Sequence, residues 1–169
     1  MSKGVGIMVK AGILSIAKNN EELLSNEESH RVKVVRKYLE NEGYKVVSTK
    51  TIENNQKVIE EELKYMSDIL NLDLVFTVGG IYCYEEDVTP EATKNVVHKE
   101  TSGIAEGIRC FCLQLSKKIM LSRGVAGIRN KTLIVNLPET TKLIIPALDF
   151  SLDIIKSSIE MINGKNNLV

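Results

Sequence analysis

The sequence is poor in several features that mark particular classes of protein. It has 169 residues and no tryptophan, and aromatic side chains make up only 5% of it. That is too few for the stacking platforms on which proteins hold single-stranded nucleic acids. Twenty-two basic and 22 acidic residues cancel, so no excess positive charge attracts DNA, RNA or an anionic membrane surface. The composition therefore argues against nucleic acid and membrane as partners.

Long apolar runs and a cysteine framework are missing as well. No apolar run reaches the roughly 20 residues that cross a membrane, and residues 1–6 lack the order of a signal peptide. The three cysteines are an odd number, which disfavours a disulfide framework. No second pair or nearby histidine completes a zinc site with Cys110 and Cys112. We therefore expect a cytoplasmic protein whose cysteines are packing residues.

Hydrophobic residues make up 43% of the chain, and they are spaced as alternating strands and helices. We predict strands at 11–16, 44–47, 72–78 and 131–137, and helices at 27–41, from Asn54, and at 90–100, 103–116 and 143–162. Residues 119–128 predict a bent strand or hairpin. The alternation predicts a single α/β domain over residues 1–169, with a three-layer, doubly wound, mainly parallel sheet and helices on both faces.

The most informative segment joins the third predicted strand to the next helix. Residues 72–78 are apolar, Gly79-Gly80 follows, and Asp87 precedes Thr89-Pro90, which predicts a helix start with Thr89 as the N-cap. Ligands of open parallel sheets bind outside the carboxyl ends of strands, and phosphates favour helix N-termini. On the residues alone, two glycines more often form a simple turn and Asp87 is most simply a capping residue. The combination favours a ligand site.

A second polar loop, residues 136–141, follows the last predicted strand. Neighbouring strand ends of a parallel sheet form a crevice together. We therefore expect the ends of strands 72–78 and 131–137 to lie side by side and to make one pocket.

Several segments at fixed spacing resemble the molybdopterin-binding family, which includes the molybdopterin adenylyltransferases. The matching segments are 77–80, 87–93, 103–109, 121–129 and 131–138, with a weaker match at 11–15. The resemblance implies a doubly wound α/β fold that assembles as a homotrimer or homohexamer. It also implies that the crevice holds molybdopterin, a pterin with a terminal phosphate. In active members, that phosphate attacks magnesium-bound ATP and gives adenylylated molybdopterin and pyrophosphate.

The resemblance also assigns roles to individual residues. Asp87 matches the acid of the family's Asp-Val-Thr-Pro motif, which implies a part in catalysis and in binding Mg²⁺. Asn54 stands where family enzymes have an aspartate before a helix, so it is the second catalytic candidate. The candidate contacts to the pterin or nucleotide are Ser15, Thr77, Gly79, Gly80, Ser122, Arg123, Asn136, Pro138, Glu139 and Thr140.

Four departures from the family pattern fall on this predicted pocket. Tyr82 stands where the family has a glycine, and Asn54 is a weaker ligand for a hard cation than a carboxylate. Glu139 adds negative charge near a phosphate site. The Ser-Asp expected after the first strand is replaced, with Lys18 nearby as a possible attraction for phosphate.

These departures leave alternatives open. The chain is either a divergent adenylyltransferase or a non-catalytic pterin-binding or assembly protein that has lost adenylyl transfer. A more remote alternative is an enzyme that acts on an unrelated phosphorylated substrate. Arg109 and Arg123 either contact phosphate or form ordinary ion pairs, and Tyr82 and Tyr84 either line the pocket or fill it.

Overall fold

The computed structural model describes residues 8–165. Its strands are β1 (Lys10–Ile16), β2 (Lys45–Ile52), β3 (Leu74–Val78), β4 (Lys99–Glu100), β5 (Ala126–Arg129) and β6 (Thr132–Leu137). Its α-helices are α1 (Asn20–Leu24), α2 (His30–Asn41), α3 (Gln56–Lys64), α4 (Thr89–Val96), α5 (Ser102–Cys112) and α6 (Thr141–Ile162). A π-helical turn spans Tyr65–Ile69, and a 3-10 helical turn spans Lys117–Leu121. No helix in this part of the chain is long and apolar enough to cross a membrane.

The strands form one mainly parallel sheet in the order β2-β1-β3-β6-β5-β4. The four strands from β2 to β6 in this order are parallel, whereas β5 and β4 are antiparallel to their neighbours. Asn130, with a φ of 51°, lies in the tight connection between β5 and β6. The bent strand or hairpin predicted at 119–128 is therefore a 3-10 turn followed by the first strand of a hairpin.

Helices cover both faces of the sheet, because successive strand residues point to opposite sides. On one side, Ile13, Phe76 and Val135 join the core under α2, α5 and α6. On the other side, Leu14 and Ile134 join the core under α3 and α4. Both faces of β3 and β6 are buried, which explains their continuous apolar sequences. The predicted three-layer, doubly wound α/β fold is confirmed.

Several predicted boundaries need correction. Asn55, rather than Asn54, caps α3 by accepting hydrogen bonds from the backbone N–H groups of Lys57 and Val58. The helix predicted at 90–100 ends at Val96, and its last two residues form β4 instead. The predicted N-cap Thr89 already lies in the first turn of α4, after Val88.

The prediction that the cysteines are packing residues was wrong for two of them. Cys83 and Cys110 are exposed, and only Cys112 is buried. In α3, the side chain of Glu62 is buried and pairs with Lys50.

The strand order fixes where a ligand crevice forms. The chain leaves β1 for β2 on one side of the sheet and leaves β3 for β4, β5 and β6 on the other, so the connections diverge at the carboxyl ends of β1 and β3. Open α/β sheets bind ligands at such a switch point. The end of β6 lies at the same edge, because Thr77 pairs with Asn136 and Val78 pairs with Leu137. The predicted neighbourhood of the two strand ends is confirmed.

Candidate functional site

A polar crevice of about 170 Å³ lies at the switch point. It is lined by Ile16, Ala17 and Lys18 after β1, by Gly80 after β3, and by Asn54, Tyr84, Glu86, Asp87 and Glu139. A second hollow of about 220 Å³ shares Tyr84 and Glu139 with it. The lining of the second hollow is completed by Tyr82, Cys83, Lys118, Leu121 and Thr140. A polar chamber and an adjoining chamber with aromatic walls therefore share one boundary.

Gly79 and Gly80 form the turn after β3, and Gly80 lines the polar crevice. Their φ angles are 102° and 69°, values that residues with side chains rarely adopt. A Cβ atom on Gly80 would lie only 2.4 Å from Thr89 Oγ1. The Thr89 hydroxyl donates to the Gly79 carbonyl at 3.0 Å, and the Thr89 N–H donates to the Gly80 carbonyl at 3.1 Å. The two glycines thus let the turn lie directly on the start of α4.

Asp87 lies beside this turn and closes the loop before α4, so its structural role is not that of a helix cap. Its Oδ2 accepts a hydrogen bond from the Tyr82 N–H at 2.8 Å. Its Oδ1 accepts one from Asn54 Nδ2 at 3.3 Å. The structure therefore brings the two predicted catalytic candidates together in the crevice wall.

The oxygen atoms around Asp87 fit a magnesium ion that is held mainly by phosphates. Mg²⁺ prefers oxygen ligands and usually takes one or two carboxylates together with substrate phosphates. Asp87 provides one carboxylate, and the buried Oδ1 of Asn54 has no hydrogen-bond partner. Among residues 8–165, no three His, Cys, Asp or Glu side chains converge as a ready-made metal site. The protein alone thus supplies few ligands.

Glu139 does not stand alone as a negative charge in the crevice. One of its carboxylate oxygens lies 3.3 Å from Lys18 Nζ, and the other lies 3.7 Å from Arg31 Nη1. Arg31 also pairs with Glu22. Burial raises the pKa of Glu22, but the Lys18 N–H and the Arg31 guanidinium outweigh it and leave this pKa below its ordinary value. The two cations offset the repulsion that the sequence predicted from Glu139.

Arg31 is a site residue that the sequence analysis missed. It lies in the first turn of α2 and is only 8% exposed, beside the apolar Val32. A cation in the first turn opposes the helix dipole. That unfavourable position was the available signal of a special role.

Asn136 and Thr77 lie beneath the crevice and do not line it. Asn136 Nδ2 donates to Thr77 Oγ1 at 2.8 Å and to Thr93 Oγ1 at 3.0 Å. Its Oδ1 accepts from the Val125 N–H at 3.1 Å. Thr77 is wholly buried and Asn136 nearly so. This network fastens β6 to β3 and α4, so we interpret both residues as positioning residues.

Arg123 holds the loop of residues 82–87 by its main chain. Its Nε donates to the Tyr82 carbonyl and its Nη2 to the Asp87 carbonyl, both at 2.6 Å, and it pairs with Glu91. Arg109 similarly donates to the carbonyl of Ser122 at 3.1 Å. Of the two alternatives predicted for these arginines, the structure favours internal contacts over phosphate contacts.

The remaining predicted contacts lie at different depths. None of Ser15, Pro138 and Ser122 lines the polar crevice. Ser15 is wholly buried with an unpartnered hydroxyl, and Pro138 is buried as well. The Ser122 hydroxyl accepts a hydrogen bond from the Gly124 N–H. Thr140 lines the second hollow. Tyr82 packs into the wall of that hollow, where burial raises its pKa, whereas Tyr84 is 59% exposed. Tyr82 therefore does not fill the polar crevice.

Comparison with known proteins connects this geometry to a family. The model of a probable molybdopterin binding domain matches residues 16–157, a range that contains every residue lining the polar crevice. A molybdopterin adenylyltransferase of Helicobacter pylori (strain J99) is 38% identical over 122 residues, which are 68% of this chain and 69% of that protein. The molybdopterin adenylyltransferase of Escherichia coli K12 is 37% identical over 103 residues, 61% of this chain and 53% of that protein. The crystal structure of the molybdopterin biosynthesis enzyme MoaB from Thermus thermophilus has a TM-score of 0.84 at 30% identity, covering 94% of this chain and 98% of that one.

Proposed function

The chain belongs to the molybdopterin-binding domain family, and on that premise we propose that it binds molybdopterin in the biosynthesis of the molybdenum cofactor. The observation that carries this proposal is the crevice at the switch point, where Gly80 lies in the wall beside Asp87 and Asn54. Phosphate approaches a glycine turn at a helix start more closely than it approaches any turn with side chains. The pterin ring would take the adjoining hollow beside Tyr84.

Adenylyl transfer is the reaction that the relatives' names support. A terminal phosphate oxygen of molybdopterin attacks the α-phosphorus of ATP and forms a new P–O bond. The bond between the α-phosphorus and the bridging oxygen breaks, and pyrophosphate leaves with that electron pair. Catalysis of such a step depends on aligning the two phosphates and neutralising their charge. Lys18 and Arg31 supply positive charge at the crevice.

Asp87 and Asn54 are the residues that would hold Mg²⁺ with the ATP phosphates. The ion neutralises phosphate charge when bound. Asp87 also keeps the loop of residues 82–87 closed through the Tyr82 N–H. Gly80 presents backbone without a side chain at the crevice wall, while Asn136 and Arg123 position the strand end and the loop.

Binding of molybdopterin without adenylyl transfer is the second candidate function. The pair formed by Asp87 and Asn54 favours this candidate. Asn54 is neutral, whereas a second carboxylate at its position would strengthen metal binding. A molybdopterin carrier or assembly protein needs the pterin site but does not need the metal.

We also propose that residues 1–169 form one domain that assembles as a homotrimer or homohexamer in the cytoplasm. The family resemblance suggests this assembly. Exposed apolar side chains at Leu113, Leu115, Met120 and Leu121 support it, because they offer a surface for a second copy.

Pyrophosphate release from molybdopterin and magnesium-ATP tests the proposal. Asp87→Asn should lower the rate about 100-fold or more if its charge neutralises the phosphates, a loss typical of electrostatic groups. Glu85→Gln, which removes an exposed charge from the same loop, should leave the rate unchanged. Asn54→Asp should raise the rate by restoring a second carboxylate. Molybdopterin binding without pyrophosphate release would establish the non-catalytic alternative, and failure to bind molybdopterin would refute the proposal.

A further inference from the structure

Arg31 points an unused donor at the Gly79 turn, next to the crevice residue Glu139. Its side chain is about nine-tenths buried, and its Nη1 has no hydrogen-bond partner. That nitrogen would lie 3.1 Å from a Cβ atom on Gly79. The other end of the guanidinium is fixed, because Nη2 donates to the Ile16 carbonyl at 3.3 Å and pairs with Glu22. The guanidinium is thus held in place with one nitrogen left facing the glycine turn.

The group that faces this nitrogen is the carboxylate of Glu139, at a distance of 3.7 Å. That distance is too long for a hydrogen bond. The other oxygen of Glu139 lies 3.3 Å from Lys18, whose side chain is 53% exposed. Glu139 is therefore held by two cations without the close contact that a buried guanidinium usually makes with a carboxylate.

We propose that Arg31 is a phosphate-binding residue of this crevice and that Glu139 is its resting counterion, which an incoming phosphate displaces. The inference rests on the proposed function and names a phosphate-binding subsite within it. The ligand chemistry is a phosphate group, of either the pterin or the nucleotide. A buried guanidinium that is held in place by other partners suits this role, since it presents planar donors that match phosphate oxygens.

The charges on either side of the exchange support it. At rest, Glu139 and Glu22 balance Lys18 and Arg31. When Glu139 turns away, the site gains one net positive charge, and a phosphate then restores the balance. Glu139 is 22% exposed in its side chain and lies in the loop between β6 and α6, so it has water to turn into. The resting pair adds to the compensation that Glu22 already gives the buried Arg31 charge, and an unpaired buried charge would be costly.

Calorimetric titration with inorganic phosphate, and separately with ATP, tests the exchange. Glu139→Gln keeps the shape of the side chain and should tighten phosphate binding about tenfold if the resting pair occupies nine-tenths of the molecules. Arg31→Gln should weaken binding at least tenfold. In the double variant, the gain from Glu139→Gln should fall below about twofold, because Arg31 is no longer there to be released. Equal gains with and without Arg31 would overturn the proposal.

Two controls separate this effect from others. Glu86→Gln removes a negative charge from the same crevice wall, but Glu86 is not the carboxylate that faces Arg31. If it raises phosphate affinity as much as Glu139→Gln does, the net charge of the crevice is the cause, and the counterion proposal is wrong. Should Arg31→Gln fail to fold, Arg31→Lys keeps the charge but loses the fork of donors, and it should still weaken phosphate binding. A variant effect seen with ATP but not with inorganic phosphate assigns the subsite to the nucleotide. The reverse assigns it to a monoester end such as that of the pterin.

The outcome is separable from that of the proposed function. If molybdopterin binds but Glu139→Gln leaves phosphate affinity unchanged, the counterion proposal fails and the function stands. If phosphate affinity follows the expected pattern but molybdopterin does not bind, the function fails and Arg31 remains a phosphate-binding residue.

Discussion

Replacing Asn136 by alanine should lower the free energy of unfolding by about 3–5 kcal/mol, because two buried hydrogen bonds and one partly buried hydrogen bond disappear together. Each bond contributes about 1 kcal/mol net, and the partly buried Val125 N–H left without this acceptor adds about 1 kcal/mol. Thr93 remains satisfied as a donor through the Thr89 carbonyl. The wholly buried Thr77 hydroxyl, by contrast, loses the hydrogen bond that Asn136 donates to it.

Urea unfolding followed by circular dichroism measures this loss, at one fixed protein concentration because assembly adds concentration-dependent stability. Thr77→Val removes one of the three bonds and should cost about 1 kcal/mol. Thr140→Ala is the control: this residue is exposed, makes no capping hydrogen bond, and should change stability by less than about 0.5 kcal/mol. A cost below about 1 kcal/mol for Asn136→Ala would contradict the positioning role. The residue would then be better explained as a ligand contact.

Two further changes test other parts of the site. Gly80→Ala forces both a φ of 69° and a 2.4 Å contact with Thr89, so it should cost about 3 kcal/mol. Gly43→Ala, where φ is 83° but no atom lies within 4 Å of the new Cβ, should cost only about 1 kcal/mol, and equal losses in thermal or urea unfolding would refute the steric argument. The depressed pKa of Glu22 means that its contribution to stability is complete above the ordinary carboxyl value of 4.5 and disappears as the pH falls through the folded value. Wild-type protein should therefore lose more stability than Glu22→Gln in urea unfolding between neutral and strongly acidic pH, and parallel losses would show that the contact with Arg31 contributes nothing.

The parts of this molecule that repeat a pattern along the chain were predictable. The strands β3 and β6 are apolar on both faces, and that is what a buried parallel strand requires. The Gly79-Gly80 turn was also predictable, because glycine readily adopts the positive φ angles that the turn uses. The strands and the turn are both determined by residues that are adjacent in the sequence.

The parts that were missed depend on neighbours in space. Sequence placed Glu139 near the pocket as a lone negative charge, but the two cations that face it come from the end of β1 and from α2. Asn136 was predicted to contact a ligand because the family motif contains it. Its three partners, far from it in sequence, engage its side chain inside the protein. No pattern along the chain reveals that a polar side chain is already satisfied.

The grip of Arg123 has a consequence for how the crevice loop can change. Arg123 reaches the loop of residues 82–87 only through the carbonyl oxygens of Tyr82 and Asp87, which every amino acid provides. These hydrogen bonds from Arg123 therefore do not depend on which side chains the residues between Tyr82 and Asp87 carry. Substitutions at residues 83–86 can therefore change the side chains that face the pocket while Arg123 still holds both ends of the loop. Ligand preference can change at these positions without loss of the loop conformation.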